Sequence, residues 1–192
     1  MARQERALRT RDALIHSAAE AFERHGYALA KLADISAGAG VSVGALHFHF
    51  ESKAAVATSV ETAAATRLRR AAESAQRPGM NALQRLTGTS FALADQLRSD
   101  VVSRAGLRLS TEGVRESSLD LRREWQAFVR RELAEASHQD LLDAPVERTD
   151  MADLIVAATT GFELLSRRDP AWGAPPLLNT FWSLILPPAP RS

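Results

Sequence analysis

The chain contains no cysteine, which excludes disulfides, thiolate nucleophiles and cysteine-ligated metals from its chemistry. Aromatic residues make up only 6%, and the apolar set is dominated by Ala, a composition that with Leu and Arg suits helices better than sheets. No stretch approaches the roughly 20 apolar residues that cross a bilayer, and the opening MARQERALRTRD has no hydrophobic segment of signal-peptide type. A cytoplasmic protein without a membrane partner is therefore expected. There is no glycine-rich phosphate loop, no carboxylate pair at an interpretable acid–base spacing and no Ser/His/Asp order in a recognisable context, so no catalytic residue, cofactor or enzymatic activity is assigned.

What is present describes a folded, all-α protein. Across 192 residues, 45% are hydrophobic and 24% charged, enough to bury a sizeable core in one domain or in a small domain fused to a larger one. The net charge of +1 hides an asymmetry: residues 1–77 carry 11 Lys or Arg against 8 Asp or Glu, while the remainder carries 13 against 15. Arg3, Arg6, Arg9 and Arg11 concentrate the excess in the first dozen residues, which read either as a solvated terminus or as part of a nucleic-acid contact.

Apolar residues Leu14, Ile15, Ala18, Ala19 and Phe22 recur at helical spacing from about Arg9, and Gly26 is placed to end that helix in the left-handed conformation. A short helix is expected from Leu32 to about Ala39, and a third from a Ser42 cap to about His49. Ser52 can cap a longer helix over 52–75. Gln76-Arg77-Pro78-Gly79 is the clearest break. The division expected is a DNA-binding domain over 1–55, the connecting helix, and a second helical domain over 76–192. Within the latter, helices are expected over about 83–97, 118–137, 150–167 and 177–186, with a short, bent piece at 101–111. Loops are expected at 141–145 and 172–176, and the PPAPRS end cannot stay helical.

The segment KLADISAGAGVSVGALHFHFESK, residues 31–53, carries the chemistry. It sets a short helix, a glycine-containing turn and a second helix in the order that lets the second enter a major groove. Val43, Gly44 and Ala45 are small or compact and permit close approach. Val43 offers only apolar contact, such as to a thymine methyl, or else packs at the turn. Phe48 and Phe50 have a strong alternative as core residues holding this helix against the first. His47 and His49, two apart, cannot share a helix face as a metal-binding pair does, and His16, His25 and His138 supply no third ligand, so no metal site is assigned.

The AGVS turn followed by GALHFHFESK resembles the TetR family of bacterial repressors over roughly residues 10–57. The resemblance implies an N-terminal helix-turn-helix domain and a larger helical domain for ligand binding and dimerisation. It places Ser42, Val43, Gly44, Ala45, His47, Phe48 and His49 on the recognition helix and Lys53 against a backbone phosphate. Two departures stand out. His47 replaces the family's usual Tyr. Ala30 and Lys31 stand where the family tends to have a hydroxyl pair, removing a helix cap worth about 0.5 to 2 kcal/mol. Lys31 can instead reach a phosphate, which adds salt dependence without selectivity. Where Val43 stands, related chains often carry lysine or another polar residue.

In the second domain, Trp125 lies on an apolar stripe with Leu121, Phe128, Val129 and Leu133, and combines a large surface with one indole donor. It is either ordinary core or a lid over a mostly apolar ligand. The RLSTEG…W pattern from Arg108 to Trp125, TGFELLSRR at 160–168 and FWSLILP at 181–187 resemble the gamma-butyrolactone autoregulator receptors of antibiotic-producing actinomycetes. In that subgroup a tryptophan equivalent to Trp125 lines the ligand pocket and ligand releases DNA. Some similar relatives answer to an antibiotic or its precursor instead. Leu86, Phe91, Leu107, Leu121, Phe128, Ile155 and Phe162 are the further pocket candidates. The resemblance implies a homodimer on a palindromic double-stranded operator, controlled by a small apolar effector. The apolar helices near 150–167 and 177–186 then serve either as monomer core or as a shared four-helix interface.

Overall fold

A computed structural model describes residues 2–111, 119–142 and 148–186. Its described residues form helices, with no strand among them. The chain separates into two compact units, Met1–Leu68 with Ser99–Leu121, and Arg69–Arg98 with Arg122–Ser192.

The first unit is built on α1 (Ala2–Leu29), α2 (Leu32–Gly38), α3 (Val43–His49), the first part of α4 (Lys53–Ser74) and α6 (Val101–Thr111). The helix begins well before Arg9, so the basic opening is a helical face and not an irregular tail. Gly26 does take positive φ, 72°, but as a kink, after which helical turns resume to Leu29. Leu14, Ala18, Phe22, Ile35, Leu46, Val56 and Val60 form one buried cluster. Each large side chain among them contributes roughly 1.5 to 3 kcal/mol of gross burial free energy. Ser17 Oγ donates to Ile35 O at 2.8 Å and fastens α2 to α1.

The turn after α2 is a Schellman closure. Gly40 N–H donates to Ala37 O and Val41 N–H to Ser36 O, both at 3.0 Å, and Gly40 has φ 68°, where a side chain would be strained. Ser42 then caps α3 by accepting from Ala45 N at 3.1 Å, and Ser52 caps α4 by accepting from Ala55 N at 3.1 Å. Lys31 occupies the N-cap position of α2 and makes no side-chain cap bond, as the loss of the hydroxyl implies.

The short, bent piece expected at 101–111 is a regular helix, α6, packed on α1. Val102, Ser103, Ala105, Gly106, Leu107 and Leu109 are all buried, and their spacing is that of a regular helix with one apolar side. At its start Asp100 accepts from Ser103 N at 2.8 Å and pairs with Arg67. In its later turns Arg104 pairs with Glu23 at 2.6 Å and Arg108 donates to Glu23 O at 2.8 Å.

The second unit holds the end of α4, α5 (Ala82–Ser99), α7 (Leu121–His138), α8 (Arg148–Ser166) and α9 (Pro175–Ile185). Leu86, Val129, Leu133, Ala152, Ile155 and Trp182 form its buried cluster. The loop expected at 172–176 is partly ordered: a 3-10 turn covers Pro170–Gly173, and α9 begins at Pro175. Proline suits a first helical turn because its missing N–H would have no intrahelical partner there. Leu178 and Trp182 of α9 are buried, whereas Leu184 is exposed. The expectations for the start of α7 before Leu119, the loop at 143–145 and the 187–192 tail lie outside the described residues.

Candidate nucleic-acid interface and effector site

Helix α3 is anchored from beneath and open above. Leu46 is fully buried and Phe50, at its C-cap, is 4% exposed, while Ser42, Val43, Gly44, His47 and Phe48 face solvent. Phe48 is 81% exposed, so its core alternative is overturned; Phe50 alone fills that role. Phe50 turns under the helix beneath the Arg11 guanidinium, 5.2 Å from its ring centroid, and Phe48, two positions earlier and so about 200° round the helix, turns away. Ala45 and His49 flank the buried side, and the His49 ring meets Phe48 edge-on at 5.3 Å. The Ser42 hydroxyl accepts the Ala45 amide as a cap. Val43 is 42% exposed in the first turn, so it is not a buried turn anchor.

The two lysines of the chain flank this helix-turn-helix and behave differently. Lys31 is exposed at the start of α2. Lys53 is half-buried: its ammonium donates to Ala28 O at 3.0 Å and lies 4.8 Å from the Tyr27 ring centroid. It thereby caps the α1 terminus created by the Gly26 kink, a structural task the sequence did not disclose.

In the second unit an aromatic shelf surrounds Trp125. Its ring stacks on Phe128, with centroids 5.6 Å apart and planes inclined by 18°, and the Arg131 guanidinium lies 5.0 Å from the Phe128 centroid. The indole Nε1–H donates to Thr159 Oγ1 at 2.9 Å, and the Thr159 hydroxyl donates to Ile155 O at 2.8 Å. Glu132, 3% exposed, holds this edge by accepting from Arg85 Nε at 2.8 Å and from Arg131. Arg69 meets Glu124, beside Trp125, through two hydrogen bonds of 3.0 and 2.6 Å. Phe162 meets Phe181 edge-on, Phe181 meets Trp182, and Trp182 Nε1–H donates to the buried Ser90 hydroxyl at 3.2 Å.

A family model described as bacterial regulatory proteins, tetR family, matches residues 14–60. The A-factor receptor protein of Streptomyces griseus is 33% identical over 171 residues, an alignment covering 88% of this chain and 59% of that protein. A crystal structure of a gamma-butyrolactone receptor (ArpA-like protein) is 30% identical, with 94% of this chain and 87% of that chain covered at a TM-score of 0.81. CprB of Streptomyces coelicolor, solved in complex with its biological operator sequence, is 31% identical, with 96% and 91% covered at a TM-score of 0.80. The chain belongs to the TetR family. It spans about three-fifths of the length of the A-factor receptor protein.

Within this TetR-family fold the nominated positions divide. Val43, Gly44, His47 and Phe48 share the open side of α3, with Lys31 exposed on α2. Among the pocket candidates, Phe91, Trp125, Phe128 and Phe162 are half-buried in the second unit, whereas Leu86 and Ile155 are wholly buried in its core. Leu107 and Leu121 are buried and belong to the first unit, Leu121 as the first residue of α7, one turn before Trp125. Of these candidates, Phe91 also borders an open groove at the start of α5 with Met80, Gln84, Thr87 and Gly88. Sequence reasoning missed Thr159. The available signal was a hydroxyl pair, Thr159-Thr160, following the apolar run Leu154 to Ala158 of α8.

Proposed function

We propose that this chain is a DNA-binding transcriptional repressor that a small effector releases from its operator. The observation carrying the DNA half is α3 itself. It is capped by Ser42, seated on Leu46 and Phe50, and presents Val43, Gly44, His47 and Phe48 to solvent at the width a major groove accepts. The likeness to CprB, which was solved with its operator, supports the reading. In the recognition turn Val43 favours a thymine methyl over a guanine edge, while Lys31 adds a phosphate contact. A cytoplasmic setting follows from that role, and none of the described helices is long and apolar enough to cross a membrane.

The effector half rests on Trp125, an indole stacked on Phe128 and half-buried, whose N–H is held by a threonine hydroxyl that could be exchanged for a ligand oxygen. A gamma-butyrolactone, with one polar ring and an alkyl arm, fits such an amphipathic wall. The chain acts as a homodimer, because one short recognition helix reads few base pairs and two half-sites multiply the readout. Exposed Leu154, Leu164 and Leu165 on α8 and Leu184 on α9 give a second copy apolar surface to cover. Effector binding shifts the population of DNA-competent dimers, so its affinity and that of the operator are linked.

The test is release of a duplex selected by the protein from a random library. Gamma-butyrolactones are titrated against the complex, followed by extracts of an antibiotic-producing strain. Release by a lactone, lost in Trp125→Ala while duplex affinity is kept, is the expected result. Release by extract fractions alone moves the effector to an antibiotic or its precursor, and no release by either overturns the effector half.

A further inference from the structure

The reading segment carries almost no fixed positive charge. No Lys or Arg stands between Lys31 and Lys53, so α3 holds only two groups able to become cations, His47 and His49. The fold gives them different surroundings. At about 100° per residue, Val43, Gly44, His47 and Phe48 span about 140° of the helix, and His47 lies inside that arc, exposed, one turn on from Val43. His49 falls toward the opposite side with Ala45 and Leu46 and is half-buried, its ring edge-on to Phe48. The charged groups of the neighbouring segments do not engage His47. On α1, Arg11 donates to Ser59 Oγ and lies over Phe50, and His16 meets Glu20. On α4, Lys53 is spent on Ala28 O and the Tyr27 ring. Lys31 and Asp34 are exposed on α2, and Glu51 follows four residues after His47. Among the described residues none of these is ion-paired or hydrogen-bonded to the His47 imidazole.

We infer that His47 makes DNA binding proton-dependent: its imidazolium bonds a backbone phosphate at the rim of the groove that α3 enters, and deprotonation removes the charge from that bond. This rests on the DNA-binding reading above. Position is the first argument. Helix α3 has seven residues, roughly 10 Å of axis against a major groove about 12 Å wide. With the first turn, Val43 and Gly44, set against base edges, the last turn stands where the phosphates run, and His47 is on the duplex side of it. Chemistry is the second. A neutral imidazole donates one uncharged N–H, whereas an imidazolium bond to an anion is roughly twice as strong. Histidine ordinarily changes charge between about pH 5 and about pH 8, a range in which lysine and arginine stay charged and tyrosine stays neutral. The direction follows from linkage. A neighbouring anion favours the charged form, so the complex holds the proton more tightly than the free protein, and affinity falls as pH rises through the titration. An anion at this distance shifts the balance by about tenfold or more for each protomer, hence about a hundredfold for a dimer. Phosphate contacts carry no sequence information, so protonation changes how tightly the protein binds and not which bases it prefers.

The test is fluorescence anisotropy on the library-selected duplex at about pH 5.5 and about pH 8, each across a salt series, with full-length parent, His47→Gln, His47→Lys and His49→Gln. The parent binds up to about a hundredfold more weakly at the higher pH, and its slope of log affinity against log salt is shallower there by about 0.9 per protomer, the value of one neutralised phosphate. His47→Gln keeps a single slope and one affinity at both pH values, close to those of the parent at the higher pH. His47→Lys keeps the steeper slope at both. His49→Gln titrates as the parent does, and substitution of a base within a half-site costs the parent the same fold-change at either pH. Thermal melting of both His47 variants follows the parent, because only an exposed side chain is altered. A parent whose affinity and salt slope do not change with pH overturns the inference while leaving α3 as reader. So does a pH dependence that survives in His47→Gln, which would assign the proton to another group. Failure of the parent to enrich any duplex overturns the DNA-binding reading, and this inference with it.

Discussion

Helices α4 and α6 approach so closely at Gly106 that the site tolerates no side chain. A Cβ built there would lie 2.2 Å from Ala64 Cβ, 3.1 Å from Val60 O and 3.3 Å from Glu61 Cα. Ordinary van der Waals contact begins near 3.4 Å, so Gly106→Ala forces the two backbones apart by about an ångström, since no rotamer can relieve a Cβ clash. Overpacking of this kind costs about 3 kcal/mol at the upper end of its usual range, against a helix-propensity gain of about 1 kcal/mol from replacing glycine. The net expectation is a loss of roughly 2 kcal/mol, or about 4 to 8 °C in melting temperature for a chain of this size. Ala64→Gly alone loses about 1 kcal/mol of propensity and roughly another 0.8 kcal/mol for the missing buried methyl. The double variant moves the methyl from one helix to the other, so it melts within a few degrees of the parent, limited by the remaining close approaches to Val60 and Glu61. The four proteins are compared by urea and thermal unfolding at one protomer concentration, which keeps any association equilibrium constant. If the two destabilisations simply add in the double variant, or if Gly106→Ala stabilises by its propensity alone, the close approach of α4 and α6 is refuted.

The two neighbouring phenylalanines at the end of α3 separate stability from binding. Phe50→Ala removes a ring that is 4% exposed and costs about 3 to 5 kcal/mol by denaturant unfolding. Phe48→Ala, at a position 81% exposed, changes stability by no more than about 0.5 kcal/mol yet weakens binding of the selected duplex in anisotropy. Asp100 gives a pH signature. Desolvation pushes its carboxyl up, but the Ser103 hydroxyl and amide together with the Arg67 charge outweigh burial and hold it below the ordinary carboxylate value. Its stabilising contribution is therefore complete above the unfolded pKa of about 3.9 and is lost as pH falls through the lower folded value. The melting-temperature gap between parent and Asp100→Asn stays constant from about pH 7 to about pH 5 and closes in the acid limb; a gap that widened on acidification would reverse the sign of the shift.

Local grammar was legible without coordinates. The Gly40 closure, the Ser42 and Ser52 caps, the missing cap at Lys31 and the break at 76–79 all follow from short-range sterics and hydrogen bonding, which act between residues a few positions apart. The same locality made the helix-turn-helix and its exposed small residues readable, and the motif carried the family. Tertiary packing decided what local pattern left open. Phe48 and Phe50 are equally apolar, and only the seat of α3 on α1 buries one and exposes the other. Lys53 had to be seen against the Gly26 kink before its ammonium could be matched with Ala28 O. Thr159 acquires its meaning from Trp125, 34 positions away. Helix α6 joins the N-terminal helices through partners 81 and 85 residues distant, which no local pattern announces. Sequence alone determined the helix-turn-helix motif, its caps and the break at 76–79, because those depend on neighbours along the chain. Which side chains are spent inside, and which are left to meet DNA or an effector, was decided by packing that exists only once the helices have come together.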